Sequence, residues 1–162
     1  MGKKKIIFVC TGNTCRSSMA EALAKNILEE LDSGELEIEI TSAGTTALPG
    51  APAADNAVKV LSSMGIDLEG HSASLLTPQD VEGADLVLTM TGVHREQVRS
   101  MVPQCRDKVF TLAEYAGAGS DVPDPFGGPE ETYRACAQEI KSLVKRALQE
   151  YLRREKQDKF NQ

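Results

Sequence analysis

The chain predicts a three-layer α/β fold in which a four-stranded parallel sheet is covered by helices on both faces. Two observations lead there. Apolar strand-like runs alternate along the chain with segments whose apolar residues recur at three-and-four spacing, the order expected of right-handed strand–helix–strand units. The run Leu86-Val87-Leu88-Thr89-Met90 is apolar almost throughout, as a strand buried on both faces requires.

Each element has its own signal. Lys5–Val9 is the first strand, and Ser17 to about Leu31 is a helix whose inner stripe is Met19, Ala20, Leu23, Ala24, Ile27, Leu28 and Leu31; Asp32-Ser33-Gly34 stops it. Leu36–Thr41 alternates apolar and acidic residues, which gives a strand with one wet face at the sheet edge, and Ser42-Ala43-Gly44 is expected to turn away from it. A loop rich in Ala, Pro and Gly runs to Pro52. Ala54–Met64 is the second helix, closed by Gly65, with Val58, Leu61 and Met64 inward. Thr77-Pro78-Gln79-Asp80 has the threonine, proline and acid of a helix start. Leu86–Met90 follows as a central strand, Thr91 caps a helix through about Met101 that Pro103 ends, and Val109–Leu112 is the fourth strand. The last helix starts at Pro129, with Glu130 and Glu131 at the favourable end of its dipole, and runs toward Lys156. It buries Tyr133, Cys136, Ile140, Leu143, Val144, Ala147 and Leu148 on one side.

With 162 residues and 41% hydrophobic content the chain suits one domain, 1–162, with a real core. It shows no linker, repeat or low-complexity tract. No apolar run approaches the roughly 18 residues of a membrane span, and the start Met1-Gly2-Lys3-Lys4-Lys5 lacks a signal-peptide core, so a cytoplasmic protein is expected. A net charge of −6 argues against a nucleic-acid partner, and Lys3–Lys5 is a solvated end. Cys10, Cys15, Cys105 and Cys136 have no Cys-x2-Cys spacing, and His71 and His94 lie far from them in sequence, so neither a structural zinc nor another metal is expected. Both histidines are expected at the surface. No cofactor is expected, and the chain is expected to be a monomer.

The chemistry concentrates in Cys10-Thr11-Gly12-Asn13-Thr14-Cys15-Arg16-Ser17, between the first strand and the first helix. A short loop in that place points backbone N–H groups into one concavity beyond the strand end, an anion-binding cup. Gly12 allows close approach of the backbone, and Asn13 tolerates a left-handed conformation. Arg16 offers a planar, permanently charged fork for two phosphate oxygens. The helix start and Arg16 both favour the nucleophilic thiolate form of Cys10 beneath the phosphorus. Ser17 has two open roles, donating to that thiolate or capping the helix. A strand that merely ends in a buried cysteine would need no arginine and no curled loop after it. Nucleotide-binding glycine loops are excluded, since no Lys-Ser or Lys-Thr follows the glycine.

Cys10 to Ser17 resembles the signature of the low-molecular-weight protein tyrosine phosphatases, and the likeness extends over nearly the whole chain. It implies that Thr11 to Ser17 bind phosphate, Cys10 is the nucleophile and Arg16 the transition-state clamp. In that family the general acid stands in a distant Asp-Pro pair; Asp121-Val122-Pro123-Asp124-Pro125-Phe126-Gly127-Gly128 fits, with Asp124 as the acid and Asp121 a flanking carboxylate. A serine at the place of Ser42 holds the phosphate-loop asparagine, so Ser42 supporting Asn13 carries over. The implied reaction passes through a phosphocysteine, and phosphorylated proteins are the implied partners.

Tyrosine-directed members usually follow the Asp-Pro pair with aromatic residues and the nucleophile with a branched apolar residue. Here only Phe126 remains before Gly127, and Thr11 follows Cys10. A phosphorylated arginine presents N–H donors that need acceptors, which the Thr11 hydroxyl and the Asp124 carboxylate offer. Together with Asp-Pro-Phe-Gly-Gly this is similar to the bacterial protein-arginine phosphatases, so phosphoarginine is the expected substrate and Thr11 and Phe126 the specificity residues. A tyrosine phosphatase is the alternative. Thioredoxin-coupled arsenate reductases of the same fold also have threonine there, but they need two further cysteines after the central strand, and residues 77–104 contain none. A non-enzymatic phospho-residue binder has no reason to keep nucleophile, arginine and acid together. Cys15, five residues from Cys10, is placed to trap an oxidised nucleophile as a disulfide. Family members generally have proline after the signature serine, whereas Ser18 stands here, a departure that bears on helix stability.

Overall fold

The computed structural model describes residues 2–161; Met1 and Gln162 lie outside them. In chain order the elements are β1 (Gly2–Cys10), α1 (Arg16–Glu30), β2 (Leu36–Gly44), α2 (Asp55–Ser63), α3 (Pro78–Gly83), β3 (Leu86–Thr89), α4 (Gly92–Met101), a 3₁₀ turn (Pro103–Lys108), β4 (Val109–Thr111), α5 (Leu112–Ala116) and α6 (Glu130–Phe160). The four strands are parallel in the order β2-β1-β3-β4, which puts β2 at an edge and β1 and β3 inside, as their alternating and continuous patterns require.

Side chains alternate across β1, so the sheet builds two cores. Ile6 and Phe8 pack with Leu86, Leu88 and the inner stripes of α1, α2, α5 and α6, while Ile7 and Val9 pack with Val87, Val81 of α3 and Val98 of α4. Helix α6 spans that first face and adds Ala137, Tyr151 and Leu152 to the expected stripe. The capping box of α3 joins Thr77 and Asp80, and Thr91 caps α4.

Three expectations are corrected. Ser42-Ala43-Gly44 does not turn away: β2 stays paired with β1 through Phe8–Ser42, Val9–Ala43 and Cys10–Gly44. In α2 the buried residues are Ala57, Val60 and Leu61, and Val58 and Met64 are only half-buried, because the helix starts at Asp55 and lies against α6. Leu112 opens α5 rather than ending β4; Thr111 and Glu114 form a reciprocal capping box that diverts the chain. Among the described residues no helix is long and apolar enough to cross a membrane.

Candidate active site

The loop from Cys10 to Cys15 joins the C-terminal end of β1 to α1 at the sheet's carboxyl edge. Its curl is centred on Asn13, the one non-glycine residue with positive φ (59°) among the described residues. Asn13 is fully buried, and every polar group of it is used: Nδ2 donates to Ser17 Oγ (2.8 Å) and Ser42 Oγ (2.9 Å), and Oδ1 accepts from the Ser74 amide (2.9 Å). Ser42 in turn donates to Glu21 Oε1 at 2.5 Å. The asparagine therefore ties the loop to α1, β2 and the segment before α3, which holds a strained conformation in place.

The close-approach glycine of this loop is Gly44 rather than Gly12. A Cβ on Gly12 would meet only Thr14 Oγ1 at 3.7 Å, whereas one on Gly44 would collide with the Thr11 carbonyl and crowd Ala47 Cβ (2.9 Å) and the Asn13 amide (3.0 Å). The amides of Thr45 and Thr46 donate to the Cys10 and Thr11 carbonyls, so the backbone after β2 is clamped against the loop.

Cys10 Sγ receives the Asn13 amide at 3.3 Å and lies 2.9 Å from Ser17 Oγ. Ser17 accepts from Asn13, and its own hydrogen has two acceptors in reach, the Cys10 sulfur at 2.9 Å and the Ala43 carbonyl at 3.5 Å; Ser17 does not cap α1, which has no side-chain cap. Arg16 is buried; its Nη1 donates to the Val122 carbonyl (3.1 Å) and its Nη2 lies 3.6 Å from Asp124 Oδ2. Val122 N–H donates to the Met90 carbonyl beyond β3, so the arginine, the strand end and the Asp124 segment form one unit.

A small cavity of about 220 Å³ is lined by Cys10, Thr11, Gly12, Thr14, Cys15, Arg16, Asp124 and Phe126. Asp121 is elsewhere, with Oδ1 accepting from the first amide of α4, so the loop's two carboxylates separate into one at the cavity and one anchoring its stem. Asp124 Oδ1 accepts the Phe126 amide, and Gly127 (φ 83°) completes the turn that leaves the Phe126 ring 74% exposed at the cavity mouth. Cys15 Sγ contacts Tyr133 Oη (3.4 Å) and Thr14 Oγ1 (3.8 Å), and burial pushes its thiol pKa up. Cys105 lies half-buried in the 3₁₀ turn, and Cys136 is buried in α6 with its pKa pushed up to about 12 by desolvation; neither lines the cavity. Ser18 Oγ donates to the Cys15 carbonyl (2.9 Å), closing the first turn of α1.

The histidines are not surface groups. His71 is half-buried with Nε2 on the Asn13 carbonyl (2.6 Å), and His94 is buried with Nε2 on Thr11 Oγ1 (2.8 Å). Composition and spacing carry no signal for either contact, since each bridges more than fifty residues.

The model of the family described as low molecular weight phosphotyrosine protein phosphatase matches residues 5–158. The chain belongs to this family. Within it the chain is 47% identical over 141 residues to a protein-arginine-phosphatase of Bacillus subtilis, covering 86% of this chain and 91% of that one. It is 41% identical over 143 residues to the protein-arginine-phosphatase of Geobacillus stearothermophilus, covering 88% and 92%. A solved phosphatase structure, a cysteine-to-serine mutant of the YwlE arginine phosphatase with a phosphorylated active-site serine, superposes with a TM-score of 0.81 at 45% identity over 90% of this chain and 94% of that chain.

Proposed function

We propose that this phosphatase hydrolyses phosphoarginine on proteins, with Cys10 as nucleophile, Arg16 as clamp and Asp124 as general acid and base. The observation that carries the reading is that the cavity over Cys10 is lined by the polar side chains of Thr11 and Asp124, with Phe126 as its one aromatic residue. A guanidinium leaving group presents several N–H donors that the Thr11 hydroxyl and the unprotonated oxygen of Asp124 can accept, whereas a phenol leaving group has no N–H to give them. The likeness to protein-arginine phosphatases of two organisms supports the same substrate.

In the first step the Cys10 sulfur attacks phosphorus in line as the bond to the arginine nitrogen breaks, and Asp124 gives its proton to that nitrogen. Water then attacks the phosphocysteine, Asp124 takes its proton, and phosphate leaves with the thiolate restored. Loop amides and the Arg16 guanidinium face the three equatorial oxygens, on which charge collects in the loose transition state. Ser17 and the Asn13 amide hold the leaving thiolate of the second step.

The test is a pair of variants assayed on phosphoarginine and phosphotyrosine proteins side by side. Cys10→Ser is expected to lose turnover, and Thr11→Ile is expected to lose phosphoarginine hydrolysis while keeping or improving phosphotyrosine hydrolysis; an unchanged ratio in Thr11→Ile would show that the selection lies at other residues, and a wild type that prefers phosphotyrosine would return the protein to the tyrosine-directed branch. Cys15 is proposed as the resolving thiol: peroxide converts Cys10 to a sulfenic acid, Cys15 sulfur displaces water from it, and two thiol equivalents reduce the disulfide. Peroxide inactivation should then be reversed by thiol in the wild type, whereas in Cys15→Ala excess peroxide should carry the untrapped sulfenic acid on to the sulfinic acid, which thiol does not reverse. The chain is further taken as one domain, a monomer of the cytoplasm.

A further inference from the structure

His94 is the third residue of α4, in its first turn behind Thr11, and is 4% exposed. Both ring nitrogens are engaged: Nε2 with Thr11 Oγ1 at 2.8 Å and Nδ1 with Thr91 Oγ1 at 2.9 Å, while the His94 amide donates to the same Thr91 oxygen (3.3 Å). A chain of hydrogen bonds thus runs from the cap of α4 through the imidazole to the residue that follows the nucleophile. Burial, aided by the Arg16 charge and opposed by Asp121 and Asp124, pulls the His94 pKa down to about 4, so the ring is neutral in any ordinary assay.

A neutral imidazole has one donor and one acceptor, and the two tautomers give Thr11 opposite characters. With the proton on Nε2, the ring donates to Thr11, whose own hydrogen must then point away from the ring and is free to meet the leaving group. With the proton on Nδ1 and donated to Thr91, Nε2 accepts the Thr11 hydrogen, and Thr11 presents lone pairs alone to the leaving group. A guanidinium, which has only donors, fits the second arrangement and conflicts with the first.

We propose that His94 is a positioning residue for substrate choice, holding the Thr11 hydroxyl as a pure acceptor toward the leaving guanidinium. The inference rests on the phosphoarginine reading and adds to it the group that orients Thr11. It assigns the imidazole no contact with substrate and no proton transfer in the reaction.

The experiment compares His94→Ala, His94→Gln and wild type for kcat/KM on a phosphoarginine protein and on para-nitrophenyl phosphate. Losing one oriented acceptor predicts about a tenfold fall on phosphoarginine in His94→Ala, with a fall of less than about threefold on the aryl ester. Gln, whose side-chain oxygen reaches about as far as Nε2, should recover most of the loss. In a Thr11→Val background His94→Ala should alter the substrate ratio no further. Equal falls on both substrates, or a full His94→Ala effect without the Thr11 hydroxyl, would overturn the proposal. Nitrogen NMR of the wild-type ring reads the tautomer directly at neutral pH: protonated Nδ1 supports the proposal and protonated Nε2 refutes it. A wild type that fails to hydrolyse phosphoarginine at all sinks the substrate reading itself, an outcome distinct from loss of selectivity in the His94 variants.

Discussion

Asp124 and Asp121 illustrate how much three residues of separation matter. Both belong to one acidic, proline-rich loop, yet Asp124 lines the cavity with Oδ2 3.6 Å from Arg16, and Asp121 is held by the amide at the start of α4. Asp124→Asn keeps the shape and removes the transferable proton. It should therefore slow phosphoarginine hydrolysis by roughly 10²–10⁴-fold and para-nitrophenyl phosphate much less, because an activated leaving group needs little protonation. Equal losses on both substrates would show that Asp124 serves only to position the loop. Thr11 is the second residue whose meaning depends on its surroundings: a hydroxyl at a strand end is ordinary, and a hydroxyl fixed from behind by an imidazole is directional.

At the scale of elements, the site is a junction of strand ends rather than a property of the loop alone. β2 continues past the point where its alternation stops, because Ser42, Ala43 and Gly44 pair with Phe8, Val9 and Cys10 and supply a flat floor for the loop. Gly44 is the residue that permits this contact. Gly44→Ala should push Thr11 and Asn13 off their positions, lowering kcat by more than about tenfold, since an ångström of misplacement is costly in a preorganised site. Circular dichroism should remain that of the wild type, because the clash falls at the last pair of the β1–β2 ladder and leaves the rest of the sheet in place; full activity in this variant would mean that the loop yields freely. The same scale contains the missed helix α5. The Thr111-x-x-Glu114 box was present in the sequence, but a five-residue helix is too short for periodicity to detect.

Across the whole molecule, the buried imidazole couples the site to stability. Folding carries His94 from its ordinary pKa of 6.5 down to about 4, so between these values the unfolded chain binds a proton that the folded chain excludes. Its contribution is full above about pH 6.5 and is lost as pH falls toward 4, by about 3 kcal/mol over the window. Urea midpoints measured at pH 7 and pH 5 should differ less in His94→Gln than in wild type, and an identical difference would place the proton elsewhere. Acid should thus loosen the α4 start and the Thr11 wall together, since the same side chain joins them.

The layers, the edge and inner strands, most helix boundaries and the place of the Cys10–Ser17 loop are legible in the sequence. These follow from local rules: side-chain periods of 2 and 3.6, capping residues, and a loop whose residue types match its chemistry over eight consecutive positions. Packing in three dimensions decides which glycine touches the loop, that Asp121 is tied to the start of α4, that Glu21 holds Ser42, and that His71 and His94 turn inward. Each of these depends on packing between segments distant in the chain, where the free energy of a contact is set by burial and approach geometry that no local pattern records.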